Sequence, residues 1–215
     1  REGMKVVENF NCMGCHAIDG MGGNLMALYD DPVNQGPPLL NNEGHRVQKD
    51  WLFHFFNNVV PIRPVLNVRM PSYNFTTEHR NKIATMFQVK ADQPTFIEDT
   101  ENISWDPGEK EAAIEMWNQL ACVSCHSAGI NPDIEPSAPN LKMAKDRLRP
   151  SWIKKWLENP QAIMPGTLMP SFWIDGTTML PDILEGDPEK QIDALTKLVI
   201  EIGQDEKVLR ALKQE

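Results

Sequence analysis

Two copies of a five-residue motif, Cys-x-x-Cys-His, stand more than a hundred residues apart in the chain. The thiols of each copy can add to the two vinyl groups of one haem, because two intervening residues on a helical turn set the sulfurs at the right separation. The histidine that follows is carried beneath the ring, where it can bind the iron. This spacing is typical of c-type haem attachment and predicts two covalently attached haem c groups. The residues concerned are Cys12, Cys15 and His16 in the first copy and Cys122, Cys125 and His126 in the second.

All four cysteines of the protein belong to these two motifs. Two Cys-x-x-Cys pairs can also form a zinc site, although zinc ribbons keep their pairs much closer and give no reason for a histidine after each pair. A thioredoxin-type redox pair requires a preceding strand and a βαβ setting, which the sequence does not indicate. Haem attachment is the favoured interpretation, with structural zinc or disulfides as the alternatives.

Each haem iron needs a second axial ligand, and Met70 and Met169 are the leading candidates. Each precedes a proline, which keeps the backbone out of a helix and favours an extended loop over the haem. Thioether sulfur is soft and favours Fe(II), so a His/Met pair raises the reduction potential. Most of the 11 methionines must fill gaps in the core. These two are singled out because they occupy matching positions in the two halves of the chain.

Three further histidines compete with Met70 in the first half. His79 stands in a charged run and is expected to be solvated, whereas His54 lies on a predicted helix and is expected to be packed or at the surface. His45, in the loop before that helix, is the strongest rival. The second half has no histidine besides His126, so its own residues cannot supply two histidine ligands to one iron.

Repeated positions also suggest residues that would orient the histidine ligands or bind the haem propionates. A proximal histidine usually donates its other ring N–H to a backbone carbonyl, and the carbonyls of Pro37 or Pro38 and of Pro139 are well placed in sequence to accept it. An arginine and a tryptophan follow in each half, and their N–H groups could bind haem propionates. Surface arginines and core tryptophans are the alternatives, and the repetition favours the haem. The four side chains are Arg46, Trp51, Arg147 and Trp152.

The order of landmarks is the same in both halves: the cysteine motif, a proline, an arginine, a tryptophan and Met-Pro. Chance would not keep five landmarks in register, so the repeat predicts two homologous domains, each with its own haem. The predicted domains are residues 1–92 and 106–215. An acidic, proline-containing linker is predicted at 93–105.

Each half is predicted to be all-α, with helices joined by long loops rich in Gly, Pro and Asn. Asp106 resembles an N-cap, because proline follows it and acidic residues occupy the first turn. The second half carries an insertion at 175–187 that the first half lacks. The predicted helices are 4–11, 49–57, 77–88, 107–120, 150–158, 188–202 and a solvated stretch within 205–215.

The 215 residues carry a formal net charge of −9, which makes nucleic acid an unexpected partner and favours a partner protein with a basic docking face. The longest apolar runs fall well short of the 18 or so residues that a transmembrane helix requires, so no membrane span is expected. The sequence shows no signal peptide and begins at Arg1, and we expect the natural protein to extend further upstream. Covalent haem attachment takes place outside the cytoplasm, so a periplasmic or otherwise extracytoplasmic location in a bacterium is expected.

On these motifs, each half resembles a class I (mitochondrial-type) cytochrome c. The whole chain is similar to the two-domain dihaem cytochromes c of bacterial periplasms and of respiratory-complex cytochrome subunits. The resemblance implies low-spin His/Met iron and a non-enzymatic electron carrier, in which an electron enters at one haem and leaves from the other to an acceptor protein. It also implies that the chain could serve a larger, membrane-associated respiratory complex.

A dihaem enzyme is the alternative function. A peroxidase needs one five-coordinate haem and is usually a longer chain, and a thiosulfate-oxidising cytochrome often uses a cysteine ligand, for which no spare cysteine exists. A subunit whose haems only relay electrons within one complex is a third possibility.

Overall fold

The computed structural model describes residues 1–63, 65–93, 95–127 and 137–212. The chain divides into two compact units, both mainly helical. The main division between the units falls between Glu98 and Asp99, and each unit also includes a short segment from the other side of this point. The first unit is Arg1–Pro61, Leu66–Glu98 and Gly166–Leu168, and the second is Ile62–Val65, Asp99–Pro165 and Met169–Glu215. No helix in the described ranges is both long and apolar enough to cross a membrane.

The first unit is built around the crossing of its first and last long helices. Helix α1 packs on α5, and α3 and α4 pack on other parts of α5. Gly3 lies at the crossing, where an added Cβ would stand 2.4 Å from the carbonyl oxygen of Lys82 and 2.5 Å from the Cβ of Met86. The elements are α1 (Glu2–Asn9), strands β1 (Ala17–Ile18) and β2 (Met21–Gly22), α2 (Pro32–Gln35), α3 (Glu43–Arg46), α4 (Lys49–Phe55) and α5 (Thr77–Lys90), with 3-10 turns at Cys12–Gly14 and Asn24–Leu28.

The second unit repeats the helix packing of the first. Helices α6 and α8 both pack on α10, and Ala113 of α6, which aligns with Gly3, is fully buried. The elements are α6 (Glu109–Gln119), α7 (Ala144–Arg147), α8 (Pro150–Glu158), α9 (Pro160–Ile163), strands β3 (Trp173–Ile174) and β4 (Thr177–Thr178), α10 (Pro188–Glu201) and α11 (Glu206–Ala211), with 3-10 turns at Cys122–Ser124, Leu141–Met143 and Leu184–Gly186.

The predicted long helices are confirmed to within a few residues at their ends, and α8 has the predicted bounds. The predicted cap at Asp106 is wrong, because α6 begins at Glu109 after Gly108, which adopts a left-handed conformation with φ of 80°. The backbone N–H of Asp106 instead donates to the Glu109 carboxylate at 2.9 Å. The all-α prediction also missed two small antiparallel hairpins, β1–β2 and β3–β4. Strands of two residues are too short to produce an alternating hydrophobic pattern in the sequence.

The insertion at 175–187 is held against α10 by one buried side chain. Gln191 accepts hydrogen bonds from the indole of Trp173 at 2.9 Å and from the hydroxyl of Thr178 at 2.5 Å. Its amide donates to the carbonyls of Leu180 and Ile183 at 2.8 and 2.7 Å. Four hydrogen bonds on one fully buried amide fix the hairpin and the turn after it to the core of the second unit.

Candidate functional site

The two cysteine motifs have the same backbone conformation. Each follows a residue in the left-handed region, Asn11 with φ of 52° and Ala121 with φ of 53°, and each continues as one turn of 3-10 helix. The backbone N–H of each motif histidine donates to the carbonyl of the first cysteine at 3.0 Å. Asparagine tolerates this conformation, but alanine pays a steric cost there. Strain of this kind that is present in both units marks the turn as a candidate functional element.

The imidazole rings of the two histidines are oriented by equivalent hydrogen bonds. His16 Nδ1 donates to the carbonyl of Pro38 at 2.8 Å, and His126 Nδ1 donates to the carbonyl of Pro139 at 2.9 Å. The bond proposed from the sequence is therefore present in both units, and in the first it is made by Pro38. A carbonyl can only accept, so Nδ1 carries the proton and Nε2 keeps the lone pair that binds a metal. Burial lowers the pKa of His126, and the bond to Pro139 opposes that shift.

None of the four cysteines forms a disulfide. Burial raises the pKa of Cys12, and it raises the pKa of Cys122 to about 12. These two thiols are therefore protonated at neutral pH. Cys15 is half-buried and Cys125 is exposed, so each motif has its second sulfur at least partly open to solvent.

An open cavity of about 440 Å³ adjoins the first motif. This volume lies within the range of about 300–1,000 Å³ that is usual for sites binding small molecules. Burial raises the pKa of the Tyr73 hydroxyl, and the two nearby thiols add to the shift. The lining residues are Phe10, Asn11, Gly14, Cys15, Asn24, Leu25, Leu28 and Tyr73. The wall is therefore mainly apolar, with one thiol in it.

The two candidate methionines lie half-buried against the cores of their own units. In the second unit the indole N–H of Trp156 donates to the Met169 sulfur at 2.8 Å. The rings of Trp156 and Trp152 are stacked, with centroids 5.9 Å apart. In the first unit Trp51 and Phe55 form the equivalent stack at 4.9 Å. An aromatic pair on α4 or α8 is thus common to both units.

The candidate propionate partners are partly buried. The Arg46 guanidinium forms an ion pair with Glu43, whose side chain is buried. The Nε–H of Arg46 is buried and has no hydrogen-bond partner in the described part of the chain. Arg147 and Trp152 are buried, whereas Arg46 and Trp51 are half-buried.

The rival histidines have other surroundings. His45 Nδ1 is 2.7 Å from the side-chain nitrogen of Gln93, and His54 is exposed. The prediction that His79 is solvated is wrong, since its ring packs edge-on against Phe10 and Phe75 and its Nδ1 is buried. The charged residues beside it in sequence gave no sign of this, because successive residues on a helix face different directions.

Two features were missed by reasoning from the sequence. Phe10 and Tyr73 line the cavity of the first unit, and their rings pack edge to face with centroids 5.8 Å apart. The hydrogen bond to a methionine sulfur from Trp156, which stacks on Trp152, was not predicted either. The available signal was the difference between Phe55 and Trp156 at equivalent positions of the repeat.

Among the described residues, no group of three or more His, Cys, Asp or Glu side chains is arranged to hold a metal ion. A haem takes four of its iron ligands from the porphyrin and needs only axial ligands from protein, so this observation does not test the haem hypothesis. Comparisons with protein-family models, with curated proteins and with solved structures gave no match to this chain.

Proposed function

We propose that this chain is a dihaem c-type cytochrome, with two tandem class I cytochrome c domains, that carries single electrons between redox proteins outside the cytoplasm. The observation that carries the proposal is the pair of matching motif turns, in which each histidine donates Nδ1–H to a proline carbonyl. A histidine held in this way presents Nε2 in a fixed direction, as metal-binding histidines usually do.

The residues present fit a covalently bound haem. Each motif offers two free thiols for the two vinyl groups and one oriented imidazole for the iron. In the first unit the cavity beside Cys15 has the apolar side chains of Phe10, Leu25 and Leu28 in its wall, although neither His16 nor Met70 lines it. The buried Nε–H of Arg46 is a donor that a propionate could satisfy, because a buried donor left unpaired costs about 1–3 kcal/mol.

We assign Met70 and Met169 as the second axial ligands in this proposal. A bound haem supplies an iron that alternates between two oxidation states. The protein's contribution is to hold the imidazole and the thioether in place and to surround them with apolar side chains, which disfavour water at the iron. If His16 with Met70 and His126 with Met169 held the two irons, neither iron would have an open position for a substrate, which favours a carrier over an enzyme.

The donor and acceptor would be redox proteins. The net charge of −9 favours partners that present a basic face, and haem propionates would add to the negative charge. Such partners include the subunits of a larger respiratory complex, for which this chain would be the cytochrome component.

The test begins with the chain produced in a host that attaches haem c. Its mass should exceed that of the polypeptide by two haem groups, and the oxidised protein should show the sulfur-to-iron charge-transfer band at an intensity corresponding to both haems. Met70→Ala and Met169→Ala should each remove about half of this band, because each removes one of two equivalent ligands. Met179→Ala is the matched control, since Met179 is 67% exposed and should leave the band unchanged.

Three results would contradict the proposal. Protein without bound haem would overturn it entirely. A band unaffected by either methionine variant would refute the ligand assignment. A high-spin signal from one haem, with turnover of peroxide or a sulfur compound, would favour a dihaem enzyme.

A further inference from the structure

The two units differ at one contact of the candidate methionine ligand. Trp156 donates its indole N–H to the Met169 sulfur at 2.8 Å. Phe55 occupies the equivalent place in the first unit and has no N–H to donate. The aromatic stack is retained in both units, so the difference lies in the donor and not in the presence of a ring.

Both residues of this contact are supported by neighbouring groups. The ring of Trp156 is stacked at 21° on Trp152, which is buried. The backbone of Met169 is held by the side-chain amide of Gln161 in α9, which donates to the Met169 carbonyl at 3.2 Å. Contacts on α8 and α9 therefore hold the indole ring and the backbone that carries the thioether.

A thioether sulfur has two lone pairs. If iron takes one of them, the other remains available to an N–H donor. Such a hydrogen bond withdraws electron density from the sulfur and makes it a weaker donor to the metal. The oxidised metal depends more on ligand donation than the reduced metal, so the bond favours the reduced state and raises the reduction potential.

We infer that Trp156 is a positioning residue that raises the reduction potential of the second site through the Met169 sulfur, and that this makes the two sites inequivalent. The inference rests on the proposed function, since it requires haem iron on Met169. If the bond is stronger in the reduced state by about two-thirds of a typical hydrogen bond, it changes the redox equilibrium by about threefold. For a one-electron couple this corresponds to about 30 mV.

The test is a spectroscopic redox titration of the haem-loaded full chain, in which the potentials of the two haems are resolved. Met70→His and Met169→His assign each component of the titration to one haem. Replacing the thioether with an imidazole should strongly lower the reduction potential of the haem concerned. Trp156→Phe removes the donor and keeps an aromatic ring, as Phe55 does in the first unit. It should lower the potential of the second haem by about 30 mV and leave the first unchanged.

Two further variants separate tuning from a merely structural role. Phe55→Trp offers a donor to the first site and should raise its potential if the new indole reaches Met70. Trp105→Phe is the matched control, because it removes an indole N–H that donates to Glu201 at 2.7 Å in the same unit, and it should move neither potential.

Unchanged potentials in Trp156→Phe, with the charge-transfer band of both haems intact, would overturn this inference and leave the proposed function standing. Equal shifts of both haems would also overturn it, because they would indicate a general structural effect. A chain that binds no haem would overturn the proposed function and this inference together.

Discussion

The crossing of α1 and α5 makes Gly3 a sharp test of the packing of the first unit. We expect Gly3→Ala to destabilise this unit by about 2 kcal/mol. Alanine gains about 1 kcal/mol over glycine in a helix, but overpacking costs about 1–3 kcal/mol. The upper part of that range applies because the new Cβ would meet a backbone oxygen at 2.4 Å and the Cβ of Met86 at 2.5 Å. Neither atom is the movable end of a side chain.

The second unit provides the reciprocal variant. Ala113 is fully buried at the equivalent position of α6. Ala113→Gly should destabilise its own unit by about 2 kcal/mol, from the lost helix propensity and the lost burial of one methyl group. Both exchanges are therefore unfavourable, although each makes one unit resemble the other. If the two crossings were equally spacious, Gly3→Ala would be stabilising.

The assay is thermal unfolding of the full chain, with hydrogen exchange and mass spectrometry to assign each transition to a unit. For a domain of 60–100 residues, 1 kcal/mol corresponds to about 4–8 °C, so Gly3→Ala should lower the midpoint of the first unit by about 10 °C. The transition of the second unit should stay in place. A midpoint that is unchanged or raised would refute the close approach of the two helices.

Two other expectations concern the second unit. Gln191→Leu should destabilise it by about 3 kcal/mol, because the buried indole of Trp173 and several other polar groups lose their partner. Faster amide exchange across 173–187 would show this, and the exposed Gln204→Leu should have little effect. Burial alone would raise the pKa of Asp193, but hydrogen bonds from Lys154 and Lys197 outweigh it and hold that pKa below its ordinary value. Asp193→Asn should therefore cost about 0.5 kcal/mol at neutral pH, since the pair is partly exposed, and the difference from wild type should vanish as the pH falls below about 4. A difference that grew in acid would show that the sign of this shift is wrong.

Reasoning from residue types and spacing reached the helices and the motifs because both have short-range physical causes. The apolar residues of α5 and α10 recur at helical spacing, and Asn159-Pro160 ends α8 where expected. The proline carbonyls were predicted because a proline follows each motif at a repeated position, although Pro38 lies 22 residues after His16. The sequence could not decide between Pro37 and Pro38, because the choice depends on the exact path of the loop.

The remaining errors and omissions involve contacts between segments distant in sequence. The ring of His79 packs on Phe10, nearly seventy residues away in the chain. The hairpin β3–β4 is held by Gln191, which sequence alone presents as one more polar residue on a helix. Periodicity cannot identify such partners, because it reports which face of an element is buried and not what covers that face.

Local chemistry alone was enough to predict two thiol pairs, each followed by an imidazole, and a duplicated helical plan around them. The folded chain decided which carbonyl orients each imidazole, how closely α1 approaches α5, and that the Met169 sulfur accepts an indole N–H from Trp156. Spacing along the chain determines which groups close in sequence can contact each other. Distances between atoms far apart in sequence are set only when the helices pack.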